Sequence, residues 1–198
     1  MVTTLIVLLV LLAVTLIYVV GIFNRLVTLK NRFLNAFAQI EVQLKRRYDL
    51  IPNLLETAKG YLKHERETFE AVVNARNQAL AGLKAAGVDP SDGSAMQQLA
   101  SAEASLGSAL AKMNIVVEAY PELKANENMM QLSEELTSTE NKVSFARQAF
   151  NDAVTAYNEY KQSFPPVFFA PMFGHTKDAS LLEFEDSAVI QEAPKVSF

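Results

Sequence analysis

Residues 129–164, MMQLSEELTSTENKVSFARQAFNDAVTAYNEYKQSF, decide the fold class by their spacing. Met129, Leu132, Leu136, Thr139, Val143, Ala146, Phe150, Ala153, Tyr157, Tyr160 and Phe164 stand alternately three and four residues apart. A helix turns once in about 3.6 residues, so this spacing lines them along one side of a rod, as in a coiled-coil seam. Pro165 and Pro166 then stop the helix, because proline offers no amide and restricts the residue before it. No segment shows the alternation by two that a half-buried strand requires.

Working outward, a second stripe runs through Phe33, Phe37, Ile40, Leu44, Ile51, Leu55, Ala58, Leu62, Phe69, Val72 or Val73, Leu80 and Leu83. Pro52 is the one breaker inside it. If Asp49 caps a new helix, Pro52 falls in the first turn, where its missing amide costs nothing. The segment is one long helix or two collinear ones, and the sequence therefore predicts a kink or restart near Asp49, with helices over about 25–48 and 50–86. Gly87–Gly93 (GVDPSDG) reads as a turn. A third stripe, Leu99, Ala102, Leu106, Leu110, Met113, Val117 and Tyr120, ends at Pro121, and its alanines permit close helix approach. Short turns between long stripes imply antiparallel neighbours.

From Met1 to Asn24 no side chain is charged, and fifteen of the nineteen residues from Leu5 to Phe23 are Leu, Ile, Val or Phe. Nineteen helical residues cover about 28 Å, near the hydrocarbon thickness of a bilayer. At a few tenths of a kcal/mol per apolar residue, insertion is favoured by on the order of 5 kcal/mol. A cleaved signal peptide would need a basic start, a shorter apolar core and small residues at the cleavage site, none of which is present. The expected fold class is all-α: an N-terminal transmembrane helix followed by an antiparallel three- or four-helix bundle of long helices. The expected organisation is an anchor at 1–24, the bundle at 25–163, a Pro/Phe-rich capping or docking segment at 164–176 and an acidic mobile tail at 177–198.

Arg25, Lys30 and Arg32 follow the span and nothing basic precedes it, so the positive-inside rule places the bundle on the cytoplasmic side. Net charge is −4, unevenly spread: residues 25–66 carry nine cations against four anions, and residues 177–198 two against five. There is no cysteine, which excludes disulfides and thiol chemistry.

Chemistry has little to stand on. His64–Thr68 (HERET) lacks the second histidine of a zinc-protease helix, and His175 lies far along the chain. The expectation is no metal and no cofactor. Glycine-rich phosphate loops and nucleophile elbows are absent from the sequence. Adjacent carboxylates such as Glu134 and Glu135 point about 100° apart on a helix and mark a solvated face. The densest basic run is Lys45, Arg46 and Arg47. It reads either as a solvated edge paired to Glu41 or Asp49, or as a contact for anionic lipid or an acidic partner. Nucleic acid is not expected, because the domain is acidic and lacks interleaved exposed aromatics. Six large apolar residues, Phe164, Val167, Phe168, Phe169, Met172 and Phe173, crowd among prolines. They either plug the distal end of the bundle or form a docking surface, with Phe168, Phe169 and Phe173 as candidate partner or lipid contacts.

The motifs Asn24–Leu29 (NRLVTL), Ala36–Leu55 (AFAQIEVQLKRRYDLIPNLL), Lys59–Glu67 (KGYLKHERE), Glu118–Asn128 (EAYPELKANEN) and Gln131–Asn141 (QLSEELTSTEN), with Ala146–Tyr160 and Ser163–Gly174, resemble the LemA family strongly. The family commonly has tryptophan where Phe37 stands and tyrosine where Phe150 stands; both changes keep the apolar bulk. The resemblance implies a single-pass protein of the bacterial inner membrane with a helical bundle and no established enzymatic activity. Family members often neighbour genes for membrane proteins, including metalloproteases, which implies an accessory part. The expected function is therefore a non-catalytic, membrane-anchored interaction or scaffold module whose partners are the lipid bilayer and another protein or further copies of itself. Two other readings compete: a membrane-shaping protein whose basic proximal helix binds anionic lipids, and an envelope enzyme with an unrecognised carboxylate site, betrayed by a pocket of perturbed acids.

Overall fold

The computed structural model describes residues 1–62 and 65–184. Among these the structure is helical, without strands, and four long helices make the bundle: α1 (Val2–Lys59), α2 (Arg66–Val88), α3 (Gly93–Ala119) and α5 (Glu127–Gln162). A single turn, α4 (Pro121–Lys124), joins α3 to α5; α6 (Pro166–Phe169) and a 3-10 turn (Pro171–Phe173) follow α5. The backbones of α1 and α5 run together, as do those of α2 and α3, with α2 also along α1. Local chemistry sets the ends. The Asp92 carboxylate caps α3 by accepting from the Ser94 amide at 2.8 Å, and Asn126 caps α5 by accepting from the Met129 amide at 3.1 Å.

The restart expected at Asp49 does not occur. α1 continues through Pro52 for 58 residues, about 87 Å of helix. The carbonyl that Pro52 leaves without its helical partner is that of Tyr48, and Arg76 Nε of α2 donates to it at 3.0 Å. Asp49 caps nothing and instead lies 4.0 Å from Arg76 Nη2. The chain leaves α1 at Gly60, where the Tyr61 and Leu62 amides both return to the Ala58 carbonyl.

One helix thus has two environments. Met1–Gly21 are exposed or nearly so, and burial begins at Ile22 and continues through Leu26, Leu29, Phe33, Phe37, Ile40 and Leu44. The apolar half is long and apolar enough to cross a membrane, and the Thr15 hydroxyl in it is satisfied by the Leu11 carbonyl at 2.8 Å. Between α2 and α3, close approach is carried by Ala75, Ala79, Gly82 and Ala86, more than by the alanines of α3. A side chain at Gly82 would meet the Leu99 Cα at 3.2 Å.

The 177–198 tail was expected to be mobile from residue 177; residues 177–184 instead pack on α5. Ala179 and Leu182 enter the core. The Asn158 side chain exchanges two hydrogen bonds with the Ala179 backbone, at 2.8 and 3.0 Å, and Asn151 two with that of Leu182, at 3.1 and 2.9 Å. Asparagines seven residues apart on one helix face thus serve as the hydrogen-bonding neighbours of an extended strap. Residues 185–198 lie outside the described residues.

Candidate functional site

Halfway along the bundle, the apolar seam is interrupted by charge. Arg47 and Tyr48 on α1 meet Glu103 on α3: Arg47 Nη1 donates to Glu103 Oε2 at 3.1 Å, and the Tyr48 hydroxyl donates to Glu103 Oε1 in a short bond. All three are buried. Arg47 Nη2 lies 4.0 Å from Glu140 of α5, and the Tyr48 carbonyl holds Arg76 of α2. One level of the bundle therefore ties all four long helices together. Burial pushes the Glu103 carboxyl above the ordinary glutamate range, against the opposing pull of Arg47 and the Tyr48 hydroxyl. Burial, reinforced by the neighbouring Glu103 charge and hydrogen bond, holds the Tyr48 phenol far above its ordinary value.

The cluster forms one wall of a groove of about 540 Å³ between α3 and α5, lined also by Gly107, Ser108, Glu140 and Ser144. The small side chains of α3 leave this seam open. Arg147 lies over the Phe184 ring, 4.6 Å from its centre, where the strap reaches the same groove.

The basic run separates into different environments. Lys45 and Arg46 are exposed, Arg46 lying 4.0 Å from Glu135 of α5, whereas Arg47 is turned inward. Arg47 is therefore not a free cation for lipid or partner, and its counter-ion is Glu103 on another helix, not Glu41 or Asp49. The whole run stands 22 to 24 residues beyond Phe23, which is about 33 to 36 Å of helix. Glu134 is exposed, as on a solvated face. The expected zinc-motif residue His64 lies outside the described residues. His175 is buried and shares a 2.8 Å hydrogen bond between its Nδ1 and the Tyr157 hydroxyl. Burial, with Lys30 and Lys161 nearby, lowers its affinity for a proton. Among the described residues, no group of three or more His, Asp or Glu side chains is arranged to hold a metal ion.

Phe169 and Phe173 of the Pro/Phe-rich segment pack partly against the core, and Phe168 is exposed. The segment does not close the distal end of the bundle. α5 runs antiparallel to α1, so it delivers residues 164–173 beside Phe23, whose ring meets that of Phe173 edge-on at 5.2 Å.

Sequence reasoning missed Glu103. The third stripe was read through Ala102, but the buried face of α3 takes Met96, Leu99, Glu103, Leu106, Ala109 and Met113. The signal was an acid at the apolar position four residues after Leu99.

A family model described as the LemA family matches residues 36–198, which include the polar cluster, the groove and the strap. The chain is similar to the magnetosome protein MamQ of Magnetospirillum gryphiswaldense, 23% identical over 167 residues that cover 77% of this chain and 61% of that protein. It is also similar to the protein LemA of Metamycoplasma hominis, 25% identical over 139 residues that cover 70% of this chain and 59% of that protein. The chain thus spans about three fifths of the length of these relatives. With the family match running from residue 36 of α1 to the end of the chain, well over half of it, this chain belongs to the LemA family.

Proposed function

We propose that this protein is a single-pass module of the bacterial inner membrane, anchored by the apolar half of α1, whose bundle lies on the cytoplasmic side and works without catalysis, by binding another protein or further copies of itself. The observation that carries this reading is the continuity of α1: one uninterrupted helix is uncharged and exposed or nearly so from Val2 to Gly21 and forms the spine of a bundle thereafter. The enzyme reading required perturbed acids gathered in a pocket. Glu103 is such an acid, but both its oxygens accept hydrogen bonds from Arg47 and Tyr48, which leaves it a joint between helices rather than a free acid or base. The run of Lys45, Arg46 and Arg47 does not carry the lipid-shaping reading, because Arg47 is buried and the run stands far from the end of the span.

The absence of cysteine supplies the test. Ser108→Cys places one thiol at an exposed position in the groove. In spheroplasts, a membrane-impermeant maleimide should leave it unlabelled until the cells are lysed; labelling before lysis would put the bundle outside. Carrying a benzophenone instead, the same position should give a discrete covalent adduct in native membranes on illumination. Illumination that yields only the unmodified chain would overturn the interaction reading at this seam.

A further inference from the structure

The segment after α5 has two sides. Pro166 and Ala170 are buried and Phe169 and Phe173 half-buried, whereas Phe164, Val167, Phe168 and Met172 are 79%, 42%, 67% and 77% exposed. What covers the second side follows from where the segment sits. Along the α1–α5 seam, Arg47 faces Glu140, Phe37 faces Phe150 and Phe33 faces Tyr157. Continued to Gln162, about a turn and a half further, that descent ends α5 opposite residues 25–28, and the Phe23–Phe173 contact fixes the level. Phe23 is the last apolar residue of the uncharged stretch. The exposed side chains therefore stand next to the place where α1 would leave the hydrocarbon, and they continue its apolar surface, in which Val20 and Phe23 are themselves exposed.

We propose that Phe164, Val167, Phe168 and Met172 lie in the interfacial layer of the lipid bilayer that α1 crosses, giving the bundle a second foot on the membrane. The inference rests on the reading of α1 as a span. The backbone suits such a place. Pro165, Pro166 and Pro171 have no amide to satisfy, and the amides of Val167, Phe168, Ala170 and Phe173 all bond to carbonyls of residues 163–170, at 2.8 to 3.2 Å. Where water is scarce, each backbone amide satisfied within the segment lowers the cost of immersion. A short structure with one apolar side sinks about 5 to 10 Å into the headgroup boundary. Arg25 and Lys30, exposed on the next turns of α1, stand at the level where anionic headgroups begin.

The chain contains no tryptophan, so one introduced indole reports alone. Full-length Phe168→Trp, Leu12→Trp and Phe145→Trp variants would be reconstituted in phosphatidylcholine and phosphatidylglycerol vesicles. Each would be made with lipids brominated near the headgroup or near the chain end. Position 12 is mid-span, and position 145 is exposed on α5 well away from the proposed foot. Phe168→Trp should be quenched more by the shallow bromines than by the deep ones, Leu12→Trp the reverse, and Phe145→Trp by neither but by aqueous iodide. Met172→Trp should repeat the behaviour of Phe168→Trp. If Leu12→Trp is quenched while Phe168→Trp responds only to iodide, α1 spans the bilayer and the foot is overturned. Shielding of Phe168→Trp from bromine and iodide alike would mean that a protein surface, a second copy included, covers the patch, which also overturns it. Failure of bromine to quench Leu12→Trp would remove the span and the foot together.

Discussion

Two layers of the bundle, about four turns of α1 apart, solve the problem of joining helices differently. The lower layer is aromatic: Phe33 lies 6.4 Å from Phe150 and 5.2 Å from Tyr157, Phe37 lies 5.7 Å from Phe150, and His175 leans on Tyr157 at 5.7 Å. Apart from the Tyr157–His175 hydrogen bond, it joins α1 to α5 and to the segment after it through contacts that any well-fitting apolar shape can make. The upper layer consists of Arg47, Tyr48, Arg76 and Glu103, and its bonds accept only particular atoms in particular places. The aromatic layer supplies burial. The polar layer selects which helix faces which, since a helix turned by one position would strand a buried charge.

The sharpest way to break the comparison is at Glu103. Glu103→Ala leaves the Arg47 guanidinium and the Tyr48 hydroxyl buried without their acceptor, and should cost about 3 to 5 kcal/mol. Urea unfolding of the full-length protein in detergent, followed by helical circular dichroism, measures this. Adding Arg47→Met should recover part of the loss. A cost near 1 kcal/mol, the size of an exposed pair, would mean the layer is ornamental to stability.

A smaller effect tests whether Arg76 replaces the amide that Pro52 lacks. Arg76→Ala should cost about 1 to 2 kcal/mol by leaving the Tyr48 carbonyl unpaired. In a Pro52→Ala background the helix regains its own donor to that carbonyl, and the same substitution should cost less, with a coupling of at least about 0.5 kcal/mol. Strict additivity of the two changes would show that the carbonyl does not need the guanidinium.

The smallest effect belongs to the aromatic layer and is a matter of sign. The pKa of buried His175 is lowered from 6.5, so above pH 6.5 neither folded nor unfolded chain gains from a proton there. As pH falls below 6.5, the unfolded chain takes up a proton that the folded one refuses, and stability is lost toward the folded value. Glu103, whose pKa is raised by burial, acts oppositely as the solution becomes acidic. The difference between wild type and His175→Gln isolates the histidine. Melting midpoints of the wild type should fall from pH 7 to pH 5 more steeply than those of His175→Gln; parallel curves would remove the histidine from the account.

The stripes of α3 and α5, and the buried positions along α1, were legible because periodicity is local information: each stripe can be read without knowing its partner. The division between α1 and α2 was not: the spacing predicts one helix over 50–86, whereas α1 ends at Lys59 and α2 begins at Arg66 and returns along α1, because Leu62 and Phe69 keep the stripe in step across the break. Phe33, Phe37, Ile40 and Leu44 on α1, and Val143, Phe150 and Tyr157 on α5, are buried as their spacing requires. What resisted reading depends on atoms brought from other helices. Pro52 suggested a break because the rescue by Arg76 is invisible from the residues around the proline. Arg47 looked like one member of a surface run because its partner stands 56 positions away. Residues 177–184 looked like tail because their sequence has no stripe; their order comes from Asn151 and Asn158, polar residues that taken singly mark only the outer side of a helix. Glu103 was hidden by a one-residue choice of register on a helix rich in alanine, where neighbouring faces read almost alike.

The unbroken α1 has a mechanical consequence. A helix transmits twist along its hydrogen-bonded length, and this one continues through Pro52 without a break from the apolar end to Lys59. Such a helix can act as a crankshaft as well as a tether. Turning its apolar end about the long axis would swing the Phe33 and Phe37 rings against α5 and carry Arg47 away from Glu103, so that torque applied at one end would be felt as broken bonds some 36 Å beyond Phe23.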